Sequence, residues 1–273
     1  MLSILFASLV FSPLGGETSG SSMIDAPERE QAVQVLEFSL ETGNVVAAAA
    51  KAAEILGEEW RATEKLRRIA DEATEQAEID VKRQLANLRF KPLIEAPLPP
   101  GWPTPTVVGE VEIKVYPQHR LARTTASEGT DRDSGLFYRL FNHIQAEEIP
   151  MTTPVEMTGG AAGFGEGGTS MSFLYPDGET GSLGRDGLVE VVDIAEATYA
   201  SFGLRGGDES LNREAEQVVR EWLKQHAEWT ATDETRVLGY NSPMVPGSMR
   251  YSEVQVRVEP AEGDAEAGDS QQK

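Results

Sequence analysis

Between residues 92 and 105 the chain reads PLIEAPLPPGWPTP, with six prolines in fourteen positions. Proline lacks an amide donor and fixes φ, so no helix or central strand can run through this stretch, which stiffens toward polyproline II. It therefore divides the chain. A region of helix-forming composition at 26–91 precedes the Pro-rich linker at 92–106, and alternating strand and helix patterns follow at 107–260.

From Ala26 to Phe90, proline is absent after position 27, and Ala, Glu, Gln, Lys, Arg and Leu dominate. These are strong helix formers, and two or three helices are expected, with breaks at Gly43-Asn44 and Gly57. Leu66, Ile69, Ala73, Ala77, Val81, Leu85 and Leu88 recur at spacings of three or four, which predicts one apolar stripe on a charged rod. Ordinary packing within the chain is the plainer destiny for so narrow a stripe; oligomerisation or partner docking through residues 26–90 is the alternative.

Both ends read differently. Residues 1–25 begin with LSILFASLVFSPL at 2–14 and continue into the small, polar GGETSGSS. The run is shorter than the ~20 residues of a membrane helix but matches a signal-peptide core, without the basic residues that usually precede one. The expectation is an exported, periplasmic bacterial protein with no integral membrane span once mature, a cytoplasmic protein being the alternative. Residues 261–273 are acidic, lack large apolar side chains and read as a disordered tail.

Composition removes several function classes. With 24 Lys+Arg against 45 Asp+Glu the net charge is -21, which disfavours nucleic acid and anionic lipid as partners. The absence of cysteine excludes disulfides, thiolate nucleophiles and iron–sulfur clusters. His119, His143 and His226 are too far apart in sequence for a local metal signature. There is no G-x-S-x-G elbow. GGAAGFGEGG at 159–168 lacks the Gly-Lys-Ser/Thr ending of a phosphate loop and reads as a flexible hairpin loop. Glu147-Glu148, beside a helix end, read as solvated. No constellation asks for catalysis, and an enzyme is not expected.

Between the linker and the tail, VVGEVEIKVY and RLARTTA read as strands; DSGLFYRLFNHIQA then places Leu136, Phe137, Leu140, Phe141 and Ile144 on one helical face; MTTPVEM and TSMSFLY are short strands. GLVEVVDI and ATYASFGLRG open a second pass, with NREAEQVVREWLKQHA as helix and VLGYNSP and MRYSEVQVRV as strands. Asp133-Ser134 and Asp208 to Asn212 supply capping groups. The class is α+β. Two duplicated βαββ units would each expose an apolar face, and pairing them predicts a distorted β-barrel with two helices, preceded by the amino-terminal helical region.

These segments carry a resemblance. EVEIKVYP, GLFYRLFNHIQAEEIPMTTPVEM, SMSFLYP, YNSP and RYSEVQV, in that order, are similar to the successive signatures of the SOUL/heme-binding-protein family over about residues 107–260, with IPMTTPVEM the most specific piece. The resemblance implies the duplicated βαββ fold and noncatalytic binding of heme or another porphyrin.

A tetrapyrrole needs an apolar cleft, sometimes an axial ligand, and donors for its propionates. The apolar candidates are Leu136 and Leu140 on the first helix, with Met151, Met157, Met171 and Phe173 on the adjoining strands, although methionine fills irregular cores equally well. His143 lies seven and three residues beyond Leu136 and Leu140, hence on their side of the helix, and is the candidate metal ligand; a satisfied structural histidine is the plainer account. His119 and Arg120, in the turn after the first strand, could meet a propionate or simply be solvated. Family members that carry a histidine directly before the tyrosine of that strand have Val115 at the corresponding place here, so that ligand does not carry over. His226 reads as a surface or packing residue. The resulting expectation is a hydrophobic groove beside the first barrel helix that holds a tetrapyrrole. Two alternatives stay open: a module for another hydrophobic or amphipathic small molecule, and a structural protein that docks partners through its amino-terminal helices.

Overall fold

Four helices, rather than two or three, precede the prolines: α1 (Pro27–Thr42), α2 (Val45–Leu56), α3 (Arg61–Glu72) and α4 (Ala77–Arg89). Proline at the first helical position suits α1, because an N–H there would have no intrahelical acceptor and its loss costs nothing. Gly43 ends α1 at φ 80°, and Gly57 ends α2 at φ 78°, as glycine does most cheaply. The third break, at Ala73 with φ 44°, runs against alanine's helical preference. Packing overrides propensity here: the turn lets α4 fold back beside α3 and α1. The expected single stripe is therefore split. Leu66 and Ile69 lie on α3, and Ala77, Val81, Leu85 and Leu88 on α4, all buried in one core with Leu36, Ala49, Ala52, Leu56 and Trp60. Each large aliphatic side chain buried there contributes about 1.5–3 kcal/mol, so the stripe is consumed inside the chain.

The computed structural model describes residues 22–126, 133–159, 170–206 and 209–261. The apolar run at 2–14, the Gly-rich segment after Gly159, the tail beyond Ala261, and the capping side chains of Asp133, Ser134 and Asp208 lie outside it. Among the described residues no helix is long and apolar enough to cross a membrane.

The rest of the chain is β1 (Val111–Tyr116), β2 (His119–Thr125), α5 (Asp133–Ala146), β3 (Val155–Thr158), β4 (Ser170–Leu174), β5 (Gly184–Asp186), β6 (Val189–Ile194), β7 (Ala197–Arg205), α6 (Glu209–Leu223), β8 (Trp229–Gly239) and β9 (Tyr251–Pro260). All named pairs are antiparallel, in the order β1-β7-β9-β8-β3-β4-β2-β6-β5. The sheet is not closed, in contrast to the expected distorted barrel: β1 and β5 end the order, and β5 is only three exposed residues long. Strand β8 starts at Trp229, eight residues before the expected VLGYNSP, whose YNSP portion is loop. The order strand–helix–strand–strand occurs at β2-α5-β3-β4 and again at β7-α6-β8-β9. Its pairing is the same each time, β3-β4-β2 and β8-β9-β7.

Side chains alternate across the sheet. Ala122, Met171, Phe173 and Val191 face α5, while Ala200, Phe202, Val254, Val256 and Val258 face α6. Helix α6 lies over β7 and β9 and also touches β8, and α5 lies over β2 and β4 and touches β6, which leaves β3 between them. On the opposite face, Phe90 at the end of α4 stacks on Tyr251. Residues 92–106, read from the sequence as a linker, cross this face as a strap.

Six of the fifteen strap residues are prolines without an amide donor, and the contacts that hold the strap run largely through its carbonyls and side chains. Pro97 O accepts from Thr153 N at 3.1 Å, Leu93 O from Asn241 Nδ2 at 2.7 Å, and Thr104 O from Lys114 Nζ at 2.6 Å. Glu95 accepts from Ser242 N, and Thr106 N donates to Glu253 Oε1 at 2.7 Å. The strap's far end presses on Gly203, where a Cβ would stand 2.5 Å from Thr106 O; no larger residue fits under it.

Candidate functional site

The helix face holds most of the residues expected to line the groove. Leu136 and Leu140 are buried against Met171 and Phe173 in one core cluster with Ile144, Ile149 and Tyr175. Around its margin Phe137, Phe141, Met151, Val155 and Met157 are half-buried. Phe137 and Phe141, one helical turn apart, hold their rings 6.0 Å apart and within 13° of parallel, and Phe137 meets Phe173 edge-on at 5.1 Å. Met157, on β3, also touches the cluster under α6. Thus the structure brings the apolar candidates together, the inner four as core and the two outer methionines at a rim with the phenylalanines.

The histidines divide differently from expectation. His143 points inward with Leu136 and Leu140, but its Nε2 lies 3.0 Å from the Tyr175 hydroxyl. Its Nδ1 faces Asp186 Oδ2 at 3.5 Å without forming a hydrogen bond. Burial pushes the Tyr175 hydroxyl up to about 12, so it stays protonated beside Nε2. Nε2 is thus engaged with Tyr175, and Nδ1 is the nitrogen without a hydrogen bond.

His119 and Arg120 do not lie in a solvated turn. They open β2. His119 is buried, its ring edge-on to Trp102 at 5.1 Å. A carbonyl can only accept, so the 2.8 Å contact from Nδ1 to Pro117 O puts the proton on Nδ1 and the lone pair on Nε2, which has no partner. Burial lowers this histidine's pKa and keeps it neutral at pH 7. Arg120 grips Asp193 with Nε and Nη2 at 2.7 and 3.1 Å, and its Nη1 donates to Thr180 O and Gly181 O. It is a loop clamp. His226 stacks on Trp222 with ring centres 3.4 Å apart, a packing role.

Composition and motif gave little warning of the strap face. Glu253 is fully buried. Its carboxylate accepts from Thr106 N, Lys114 Nζ at 3.0 Å, Tyr240 OH at 2.9 Å and Gln255 Nε2 at 3.0 Å. Burial alone would raise its pKa, but Lys114 and these donors outweigh burial and hold it below the ordinary value. Burial and the neighbouring Glu253 push the phenols of Tyr116, Tyr240 and Tyr251 well upward, so all three stay protonated. Arg236, 3% exposed, bonds Glu156 Oε2 and Gln255 Oε1, both at 2.8 Å. Its guanidinium lies 3.8, 4.5 and 5.9 Å from the ring centres of Tyr199, Tyr116 and Trp102. Burial pulls its pKa down, yet Glu156 and the two tyrosines leave it raised.

Concavities lie elsewhere: a shallow groove of about 600 Å³ between α1 and α2 beside Phe38, and one of about 400 Å³ beside α4 under Phe90 and Arg205. Among the described residues no cluster of acidic and histidine side chains could hold a bare metal ion.

An open antiparallel sheet, backed on one face by two helices and strapped on the other, defines an α+β domain carried on a four-helix extension. Residues 103–257 match the family described as SOUL heme-binding protein, more than half of the chain, and the chain belongs to that family. No curated protein matches it significantly. Solved structures similar to it include the EcmrR C-terminal domain, at TM-score 0.42 and 16% identity over 56% of this chain and 98% of that one. A hydrolase from Listeria innocua aligns at 0.42 and 11%, over 57% and 94%. SAV2435 bound to tetraphenylphosphonium aligns at 0.34 and 12%, over 55% and 94%. At these values the likenesses carry no functional argument.

Proposed function

We propose that this chain is a noncatalytic binding protein that holds heme or a related tetrapyrrole on the helix face, in the groove beside α5. Membership of a heme-binding family supports the ligand class. The observation that carries the location is the near-parallel, half-buried pair Phe137 and Phe141, with Met151 and Met157 at the same rim. Flat aromatic faces and polarizable thioethers suit a flat apolar ring. We read the domain as two related βαββ units, which the matching pairing orders support.

The residues present fit the macrocycle better than its metal. His143 has its Nε2 committed to Tyr175, and His119 belongs to the other face of the sheet. Heme, when bound, would supply its iron as a redox-capable centre; the chain's own part is apolar contact and exclusion of water. Export, read from residues 2–14, remains part of the proposal and is checked by sequencing the mature amino terminus.

Titration of the full chain with hemin and with metal-free protoporphyrin IX tests this reading. Both should give saturable Soret changes with affinities within about threefold of each other, since an iron bond would add several kcal/mol to hemin alone. Phe137→Ala with Phe141→Ala should weaken both about tenfold, and His143→Ala should leave the hemin spectrum unaltered. No saturable change with either porphyrin would refute the function.

A further inference from the structure

The strap delivers one large side chain to the sheet. Pro99-Pro100-Gly101-Trp102 forms a tight turn closed by Trp102 N to Pro99 O at 3.1 Å, with Pro100 at its second position and Gly101 at φ 75°, the conformation glycine provides in a type II turn. The turn aims Trp102 into a box formed by Tyr116, edge-on at 4.8 Å, His119 and Arg236. Trp102 lies one residue outside the segment that matches the family.

Its seat is imperfect. Buried polar groups are nearly always hydrogen-bonded, and those that are not call for an explanation. Arg236 Nη2 and His119 Nε2 have no partner, and the guanidinium and imidazole that carry them border this ring; Trp102 Nε1 lies toward the Tyr240 hydroxyl without completing a bond. One unmet group is a donor and the other an acceptor. The charges, by contrast, are met: Arg236 by Glu156 at 2.8 Å and Lys114 by Glu253 at 3.0 Å. A charged guest would bring an uncompensated charge into a dry site.

We propose that the strap face is a second ligand site, now filled by the chain's own Trp102, that takes an uncharged two-ring heteroaromatic molecule bearing one hydrogen-bond donor and one acceptor. The indole ring stands in for the guest's shape. The guest's acceptor meets Arg236 Nη2, its donor meets His119 Nε2, and its face lies against Tyr116. Binding requires the strap to lift, so affinity in the intact chain is reduced by the fraction of molecules in which it is closed. This site lies on the opposite face from the tetrapyrrole groove and stands or falls independently of it.

Substituting Trp102→Gly in the full chain empties the box. By calorimetry, 7-azaindole, uncharged with one donor and one acceptor, should bind this variant about tenfold or more tightly than naphthalene, which has neither. It should also outbind the anionic indole-3-acetate and raise the variant's unfolding midpoint. Absence of saturable binding, equal affinity for naphthalene, or preference for the anion overturns the proposal; in the first case buried water alone serves the two groups. If the variant does not fold, hydrogen exchange on the unaltered chain decides. Saturating 7-azaindole should accelerate exchange at the Leu98, Trp102, Thr104 and Thr106 amides, and unchanged or slowed exchange there overturns it.

Discussion

Removing the Glu156 carboxylate from beside Arg236 tests how the strap face tolerates charge. Arg236 is almost wholly buried, with Glu156 and Gln255 as its hydrogen-bond partners and Tyr199 stacked at 3.8 Å. Breaking a buried pair from one side costs about 3–5 kcal/mol, because the remaining charge is stranded. The tyrosine faces still attract the guanidinium, so we place Glu156→Leu at the lower end, about 3 kcal/mol. Arg236→Met strands Glu156 instead, with Arg123 Nη2 at 3.8 Å as its remaining cation, and should cost about the same. The double variant strands neither charge. It should be no less stable than either single variant, which amounts to a coupling of about 3 kcal/mol. Urea unfolding followed by circular dichroism at constant m measures this, and each single change should lower the thermal midpoint by roughly 6–12 °C. Single losses below about 1 kcal/mol, or a double loss equal to the sum of the singles, would refute the reasoning.

Three further outcomes follow from the same geometry. Glu253 titrates below its ordinary value in the folded chain, so its stabilisation is complete above about pH 4.5 and is lost as pH falls through the lower folded value. Glu253→Gln should be less stable at pH 7 and show a shallower acid loss, measured by urea midpoints from pH 7 down to about pH 3. Glu110 accepts from Arg61 N at 2.6 Å and Ala62 N at 2.9 Å at the start of α3, so Glu110→Ala should cost about 1–2 kcal/mol, with exchange fastest in the first turn of α3. Arg120→Ala should speed exchange at 177–183 while leaving the unfolding midpoint nearly unchanged; a global loss of stability would show that the clamp is more than local.

Local periodicity made α5 legible to the residue: the spacing of Leu136, Leu140 and Ile144 marks Asp133–Ala146, and the helix runs between those limits. It failed at Ala73, where nothing nearby signals a left-handed residue and the turn is dictated by helices that must pack. It failed also at β8, whose first half, WTATDET, is mostly exposed and pairs with β9 at Trp229, Thr230, Ala231 and Thr235, around an irregularity, through backbone groups that the side chains do not announce. Closure of the barrel, likewise, depends on which strands end the sheet. That is a question of pairing between residues far apart in sequence.

The strap face was hidden for a related reason. In YSEVQVRV the valines at 254, 256 and 258 mark one buried face, and alternation then suggests that Glu253 and Gln255 face water. They are buried because a proline-rich segment about 150 residues earlier lies over them, and its partners Thr153, Asn241, Ser242 and Glu253 are scattered through the chain. One local clue was present: a tryptophan between prolines is out of place in a solvated linker, since burying its ring is the main stabilisation such a segment can gain. The same burial bears on the histidines. Helical spacing put His143 beside Leu136 and Leu140 but could not report that Tyr175, 32 residues on, occupies its Nε2. His119 looked solvated from its neighbours, whereas Trp102 covers it and leaves its Nε2 as a buried nitrogen without a partner.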